Sequence, residues 1–371
     1  MKIAIAGDFV PAFAGLDSVA NEVKEFLCHA DFRIINLECP LTNRGKPIAK
    51  IGPSLRADSS CVPGLTRLGV DVVTLANNHV NDYGAAGIAD TLEVCKSESI
   101  RTVGAGMDIC EASKPILLEK DGERIAILNF VHREFCVAGK NNAGANPFDL
   151  IHVLRSIDEA RRIADGMVVI VHSGLEGVHY PSPHSVRKLR FIAEQQGVRA
   201  VVRHHSHAIQ GTEVWKNVPI YYGLGNFYFP YGNQSASWRN GVMLMVDVTL
   251  NRPALISRMF VEFDANGNLK GTADEEWCEN VFSDSSAAIA DGDKLNAVWR
   301  GIVKQSSRFY LGSLYSPGDM IRRILVRLGV FGWMIPNCRQ LLFLKNRISC
   351  ETHAEVLEDV VDQLMGDKGL R

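Results

Sequence analysis

Six side chains bearing oxygen or nitrogen donors close the apolar runs of this 371-residue chain. IAIAG ends in Asp8, FRIINL in Glu38, DVVTLAN in Asn78 and His79, MVVIV in His172, and RAVVR leads into His204, His205, Ser206 and His207. Strand ends matter because ligands of open α/β sheets bind just beyond the carboxyl ends of the strands. Two carboxylates, a carboxamide and three imidazoles, with no thiolate among them, form a donor set that suits Mn, Fe or Zn. Taken singly, each has an ordinary role: Asp8 as a cap, Glu38 as a solvated loop charge, Asn78 as a turn residue, His172 as a buried hydrogen-bonded imidazole. Their coincidence at strand ends points instead to a divalent-metal centre. The HHSH run is the strongest single piece, since alternate residues of an extended segment point the same way and so His205 and His207 share one face.

The elements that must position these residues follow from periodicity. Short β-branched runs (IAIA, FRIIN, DVVTLA, RIAILNF, MVVIV, RAVV) alternate with helical patterns at Ser18 to Cys28, Ala85 to Ser97, Leu150 to Ala164 and Pro183 to Gln196, which predicts βαβ units and a largely parallel sheet. From Val214 the strands VPIYYGLGNFYF and GVMLMVDVTL are closely spaced and joined by Gly and Asn turn signals, which favours antiparallel pairing. VGAG at Gly104 and Gly106 reads as a tight strand-to-helix loop, because no GxGxxG or Walker pattern follows. The turn-rich DANGNLKGTADEE marks a boundary, so residues 1–275 are expected to form the α/β domain and 276–371 a mainly helical extension. In its last helix, Thr352 to Met365, the residues Val356, Val360, Leu364 and Leu357, Val361, Met365 make one stripe, with Gly366 as the stop.

Charge excludes some partners. The 40 basic and 42 acidic residues leave no global positive field for nucleic acid, so none is expected. Nine scattered cysteines show no CxxC pair, and Ile3 to Ala6 is too short for a signal-peptide core, so a reducing, cytoplasmic setting is expected. The tail interleaves Arg322, Arg323, Arg327, Arg339, Lys345 and Arg347 with apolar residues including Trp333. Weak peripheral membrane contact is one reading of that pattern. Gly329, Gly332 and Pro336 interrupt it, and helices packed on the neighbouring domain are the expected outcome. His132, His179 and His184 fall in loops near the strand-end cluster, and nothing in their spacing separates them from ordinary loop histidines.

The segments GDFVP, NLECPLT, LANNHVNDYG, HSGLEG, HHSHAIQ and YGLGNFYF follow in the order seen in the CapA family. That family is named for capsule and poly-gamma-glutamate synthesis and resembles the calcineurin-like metallophosphatases. The match covers about residues 1–265, and ANNHxxDxG and LGNF are its specific segments. The resemblance implies a four-layer αββα sandwich, two sheets flanked by helices, with a dinuclear metal site at one edge and a C-terminal helical extension outside the match. Carried over by motif, Asp8 and His207 bind one metal, Asn78, His172 and His205 bind the other, and Glu38 bridges them. Val10 stands where the calcineurin-like motif has a histidine two residues after the first Asp, so one or two ions are expected. Ser173, Gly177, Arg203 and Ser206 also depart from the CapA pattern and bear on specificity.

Two adjacent divalent cations lower the pKa of a bridging water and neutralise a phosphoryl oxygen. The expected function is therefore a metal-dependent phosphoesterase that uses a metal-activated hydroxide in capsule or cell-envelope polymer metabolism; the alternative is a non-hydrolytic metal-binding accessory of the same synthesis. His79, one residue from Asn78, is expected as general acid, oriented by Asp82, whose ordinary alternative is the N-cap of a helix beginning at Tyr83. Arg203 suits an anionic substrate group. Glu176, after His172, is expected to contact substrate or steady a histidine, and Asn226 of LGNF is grouped with the substrate-binding residues. The partner expected is an anionic small molecule or polymer.

Overall fold

The computed structural model describes residues 1–11, 18–231, 235–250, 254–264, 267–311 and 338–367. Lys2–Phe9 lies inside a nine-stranded sheet, which Phe32–Leu37, Val72–Thr74 and Arg101–Val103 continue in parallel on one side. On the other side Asn240–Asp247, Leu255–Phe263 and Asn268–Gly271 continue it as an antiparallel meander. The second sheet has six strands in the order Thr212–Trp215, Val218–Tyr221, Val198–His204, Gly166–His172, Glu123–Val131, Ile116–Lys120. Its four inner strands are parallel and its two edges antiparallel. The alternating pattern of the sequence suggests one largely parallel sheet; the chain instead places its first three predicted strands in one sheet and the next three in the other.

Side-chain alternation explains the layers. Ile3 and Ile5 of the first sheet face Ile125, Ile127, Val168 and Ile170 of the second, all buried in one core between the sheets. Ala4, Ala6 and Val73 face the other way, against Val23, Leu27 and Ile88 of the helices Asn21–Cys28 and Gly84–Ser97. Leu128, Val169 and Val201 likewise pack on Val153, Ile157 and Leu189 of Leu150–Ala160 and Pro183–Ala193. Those two helices start where Asp149 and Ser182 accept backbone hydrogen bonds from His152 and Ser185. The result is the αββα sandwich.

Two local expectations need correction. VPIYYGLGNFYF does not form a strand pair with GVMLMVDVTL: Val218–Tyr221 belongs to the second sheet, Asn226–Tyr228 crosses over to pair in parallel with Lys2–Phe9, and the antiparallel partners of Asn240–Asp247 are Lys2–Phe9 and Leu255–Phe263. The crossing needs glycine at both strands, since a Cβ on Gly7 would sit 2.1 Å from the Gly225 carbonyl oxygen and Gly225 has φ +66°. That close approach brings Asp8 opposite Asn226.

The second correction concerns the extension. Its first helix, Glu275–Ala290, is part of the body: Cys278 and Phe282 lie in the core between the sheets, and Ser285 Oγ accepts the Gly211 amide at 2.9 Å. The boundary expected at 275/276 therefore falls within a packed unit. Gly292–Leu311, Cys338–Ser349 and Glu351–Asp367 follow, with Trp299, Val303, Tyr310, Val356 and Val360 forming a small core of their own. The last helix runs through Gly366 to Asp367, and Val361 and Met365 are exposed, so only part of the expected stripe is buried. Arg322, Arg323, Arg327, Gly329, Gly332, Trp333 and Pro336 lie outside the described residues. Arg347 is buried, stacked on Tyr310 and Phe343. Among the described residues no helix is long and apolar enough to cross a membrane.

Because Phe282 fills the core between the sheets, Phe282→Ala is expected to destabilise the whole fold by about 3–5 kcal/mol. Urea unfolding followed by both tryptophan fluorescence and far-ultraviolet circular dichroism checks this; an unshifted main transition would mean that the helix is an independent appendage.

Candidate metal centre

The carboxyl-terminal ends of strands from both sheets meet at one edge, and Asp8 lies at their junction. Its Oδ1 accepts a hydrogen bond from Asn36 Nδ2 at 2.7 Å, and its Oδ2 accepts the His205 backbone amide at 3.2 Å and lies 3.2 Å from His207 Nδ1. Asn36 in turn accepts from Thr74 Oγ1 at 3.2 Å and Asn77 Nδ2 at 3.3 Å. The sequence reading missed Asn36 and Asn77; the available signal was a carboxamide at a buried position of the FRIIN strand.

Around this junction the six expected donors come together. His172 Nε2 is 2.9 Å from Asn78 Oδ1, 3.0 Å from His205 Nδ1 and 3.4 Å from Glu38 Oε1. His207 Nε2 approaches the same Glu38 oxygen at 3.6 Å. Glu38 is fully buried, yet neither of its oxygens has a hydrogen-bond partner. It therefore stands between one imidazole of each expected donor set, where a bridging carboxylate belongs. His204, left out of those sets, is also buried with both ring nitrogens unpartnered, and it groups with Asp8 and His172.

The histidines converge by a route the sequence did not indicate. The strand ends at His204, and His205 and His207 have φ values of 88° and 50°, in the left-handed region that non-glycine residues rarely adopt. Strand alternation thus does not put them on one face; two turn conformations do, at a cost of about 1–3 kcal/mol each. The bond from the His205 amide to Asp8 helps hold the turn.

Electrostatics fit a site for cations. Burial, then the negative charge of Asp8, pushes the Glu38 carboxyl well above its usual range. Burial works the same way on Asp8, but the hydrogen bond and charge of His207 override it and hold Asp8 low. For His207 burial opposes protonation, yet Glu38 and Asp8 raise it to about 10. His172 and His205 are pushed well down, chiefly by burial and, for His205, by the neighbouring imidazoles; they present lone pairs.

His79 and Asp82 form a second layer. His79 Nδ1 lies 2.7 Å from Asp82 Oδ2, and as a carboxylate only accepts, the ring proton sits between them and Nε2 is the remaining polar atom. Asp82 also accepts the Leu55 amide at 2.6 Å and pairs with Lys50, a residue the sequence reading did not single out. Asp82 does not cap a helix: the helix begins at Gly84, and the cap position, Tyr83, makes no side-chain bond to it. Burial first, then the Lys50 charge, pushes His79 down.

The expected substrate residues fare differently. Glu176 is exposed at the rim of a cavity of about 420 Å³ that also meets Lys50, His79, His205 and, from the extension, Arg347 and His353. Arg203 is buried on the helix-facing side of its strand with Val201; it donates from Nε to the Tyr222 carbonyl at 2.7 Å and from Nη2 to Gln210, so it braces the fold and does not reach substrate. Asn226 is also fully buried, with Oδ1 2.9 Å from His207 Nδ1 and Nδ2 donating to the Trp238 carbonyl at 2.9 Å. It orients His207 and is not placed to bind substrate.

Comparison with known proteins shows the family. The family model "Bacterial capsule synthesis protein PGA_cap" aligns with residues 3–231, which contain all six donors. "PGA biosynthesis protein CapA" of Bacillus subtilis is 33% identical over 222 residues, covering 59% of this chain and 58% of the relative. "Capsule biosynthesis protein CapA" of Bacillus anthracis is 31% identical over 227 residues, covering 59% and 55%. The chain thus spans less than two thirds of the length of these relatives. Among solved structures, the calcineurin-like phosphoesterase YfkN from Bacillus subtilis aligns over 80% of this chain and 98% of its own, at 12% identity and a TM-score of 0.43. With the family model covering more than half of its length, the chain belongs to the PGA_cap family of bacterial capsule synthesis proteins.

Proposed function

We propose that this protein is a metal-dependent hydrolase of the phosphoesterase kind, working in capsule or cell-envelope polymer metabolism on an anionic small molecule or polymer. Glu38 carries the reading: it is a buried carboxylate without a hydrogen bond, flanked by imidazole nitrogens 3.4 and 3.6 Å away. Burial and Asp8 disfavour the ionised form of this carboxyl unless a positive partner is present, and the surrounding oxygen and nitrogen donors suit one or two ions of Mn, Fe or Zn. Asp8 and His207 would hold one ion, Asn78, His172 and His205 the other, with Glu38 shared. Bound there, such ions would supply Lewis-acid neutralisation of a phosphoryl oxygen and a water of lowered pKa. The names of the two Bacillus relatives support the link to capsule synthesis.

The chain's own groups supply orientation and a proton. Asp82 holds His79 by Nδ1, so Nε2 is left for the oxygen of the leaving group. An anionic substrate oxygen beside that ring favours its protonated form, opposing the burial and the Lys50 charge that depress it. Lys50 fixes Asp82 and adds positive charge to the cavity wall.

One observation favours a second reading, a non-hydrolytic accessory that keeps the metal fold for binding. Val10, where the related enzymes carry a histidine, is fully buried in the apolar core, so the first ion lacks an imidazole from that position. Turnover of a chromogenic phosphodiester with added Mn separates the two.

Purified protein is expected to carry between one and two divalent transition metals by elemental analysis. His172→Ala and His205→Ala should each lower the content by about one equivalent, while His79→Ala leaves it nearly unchanged. A metal-free protein that also ignores added Mn, Zn and Fe in calorimetry would refute the reading.

For turnover, His79→Ala is expected to slow substrates with poor leaving groups by about a hundredfold or more. Leaving-group dependence is the check: the loss should shrink with a p-nitrophenolate ester, and an equal loss on both assigns His79 to positioning instead.

A further inference from the structure

A second cluster of donors lies where the extension meets the body. His132 follows the strand Glu123–Val131, Glu134 comes two residues later, and Cys350 precedes the helix Glu351–Asp367. One donor atom from each lies within 4.8 Å of the others. His132 and Cys350 are fully buried, and the Glu134 side chain is 13% exposed.

The hydrogen bonds around this cluster leave one atom of His132 and one of Glu134 over. His132 Nδ1 is 3.1 Å from Thr352 Oγ1, a hydroxyl that can donate to a lone pair or accept from an N–H, while Nε2 faces inward without a hydrogen-bond partner. Glu134 Oε1 accepts from His353 Nε2 at 2.7 Å and from Asn346 Nδ2 at 3.0 Å, whereas Oε2 lies 3.5 Å from His132 Nε2. Each of these ligand candidates is thus anchored through its other polar atom, as metal-binding imidazoles and carboxylates are.

We propose that His132 Nε2, Glu134 Oε2 and Cys350 Sγ form a second zinc-type site, beside the main centre because the His132 ring sits edge-on to that of His205 at 4.4 Å, and that it fastens the C-terminal helices to the body. Nitrogen, oxygen and sulfur donors together select a borderline-soft divalent cation, and three protein donors leave a fourth tetrahedral position for water. On binding, Cys350 releases its proton to solvent and coordinates as the thiolate; without a cation the buried thiol stays protonated. The six donors of the main centre include no sulfur, which makes the two sites separable by spectroscopy. Two of the three ligands lie within the family match at residues 3–231, and the third comes from the extension beyond it.

The test is cobalt alone, titrated into chelator-treated full-length protein. The site predicts a near-ultraviolet thiolate-to-cobalt charge-transfer band, absent in Cys350→Ser, which should also bind about one equivalent less cobalt. Cys136→Ser, a change at another buried cysteine, should keep the band. His132→Gln retains the sulfur and should need at least about tenfold more cobalt to develop the band, so it carries the test if the serine variant does not fold. A wild-type protein that binds cobalt without the band, or a band that survives Cys350→Ser, overturns the proposal. The band without sulfur-free cobalt binding would instead uphold this site and count against the phosphoesterase reading.

Discussion

Two fully buried carboxylates, Asp8 and Glu38, stand at the seam where the two sheets meet, and the negative charge of Asp8 acts on Glu38. Burying one unpaired anion is costly and burying two together is worse, so the edge of the sandwich is organised around positive or polarised partners. Asp8 is satisfied by protein groups: a carboxamide, a backbone amide and the His207 ring. Glu38 is not, and its two orphaned oxygens are what a bound cation would satisfy.

Much of the surrounding structure serves that arrangement. Two histidines take left-handed backbone angles to reach the seam. The chain crosses from the second sheet to the first at Gly225, against Gly7, and so sets Asn226 beside His207. The Asn36 carboxamide joins Asp8 to Thr74 and Asn77 on the neighbouring strand and loop. Each of these strains or buried polar contacts would be a defect in an ordinary core. Together they hold donors from five separate chain segments within a few ångströms, which is the precision a metal centre requires.

The extension is built into the same region. Arg133–Glu351 and Lys188–Glu355 ion pairs, and the bonds from His353 and Asn346 to Glu134, join its helices to loops beside the centre. Arg347 and His353 thereby become part of the cavity wall. Since the family match ends at residue 231, Arg347 and His353 of this wall lie outside it.

The sequence by itself determined the strands, most helices and the donor chemistry, because hydrophobic periodicity is local and strand-end positions can be read directly. Asp8, Glu38, Asn78, His172, His205 and His207 were all legible in this way, and the motif order pointed to the family. What tertiary structure alone decided was direction and distance. Arg203 and Asn226 were expected to meet substrate, yet alternation and crossover turn them into buried braces. Lys50 and Asn36 join the site from positions where only three-dimensional packing shows their partners. Cys350 meets His132 across more than two hundred residues, and no local pattern encodes a contact made by docking one helix against a distant loop.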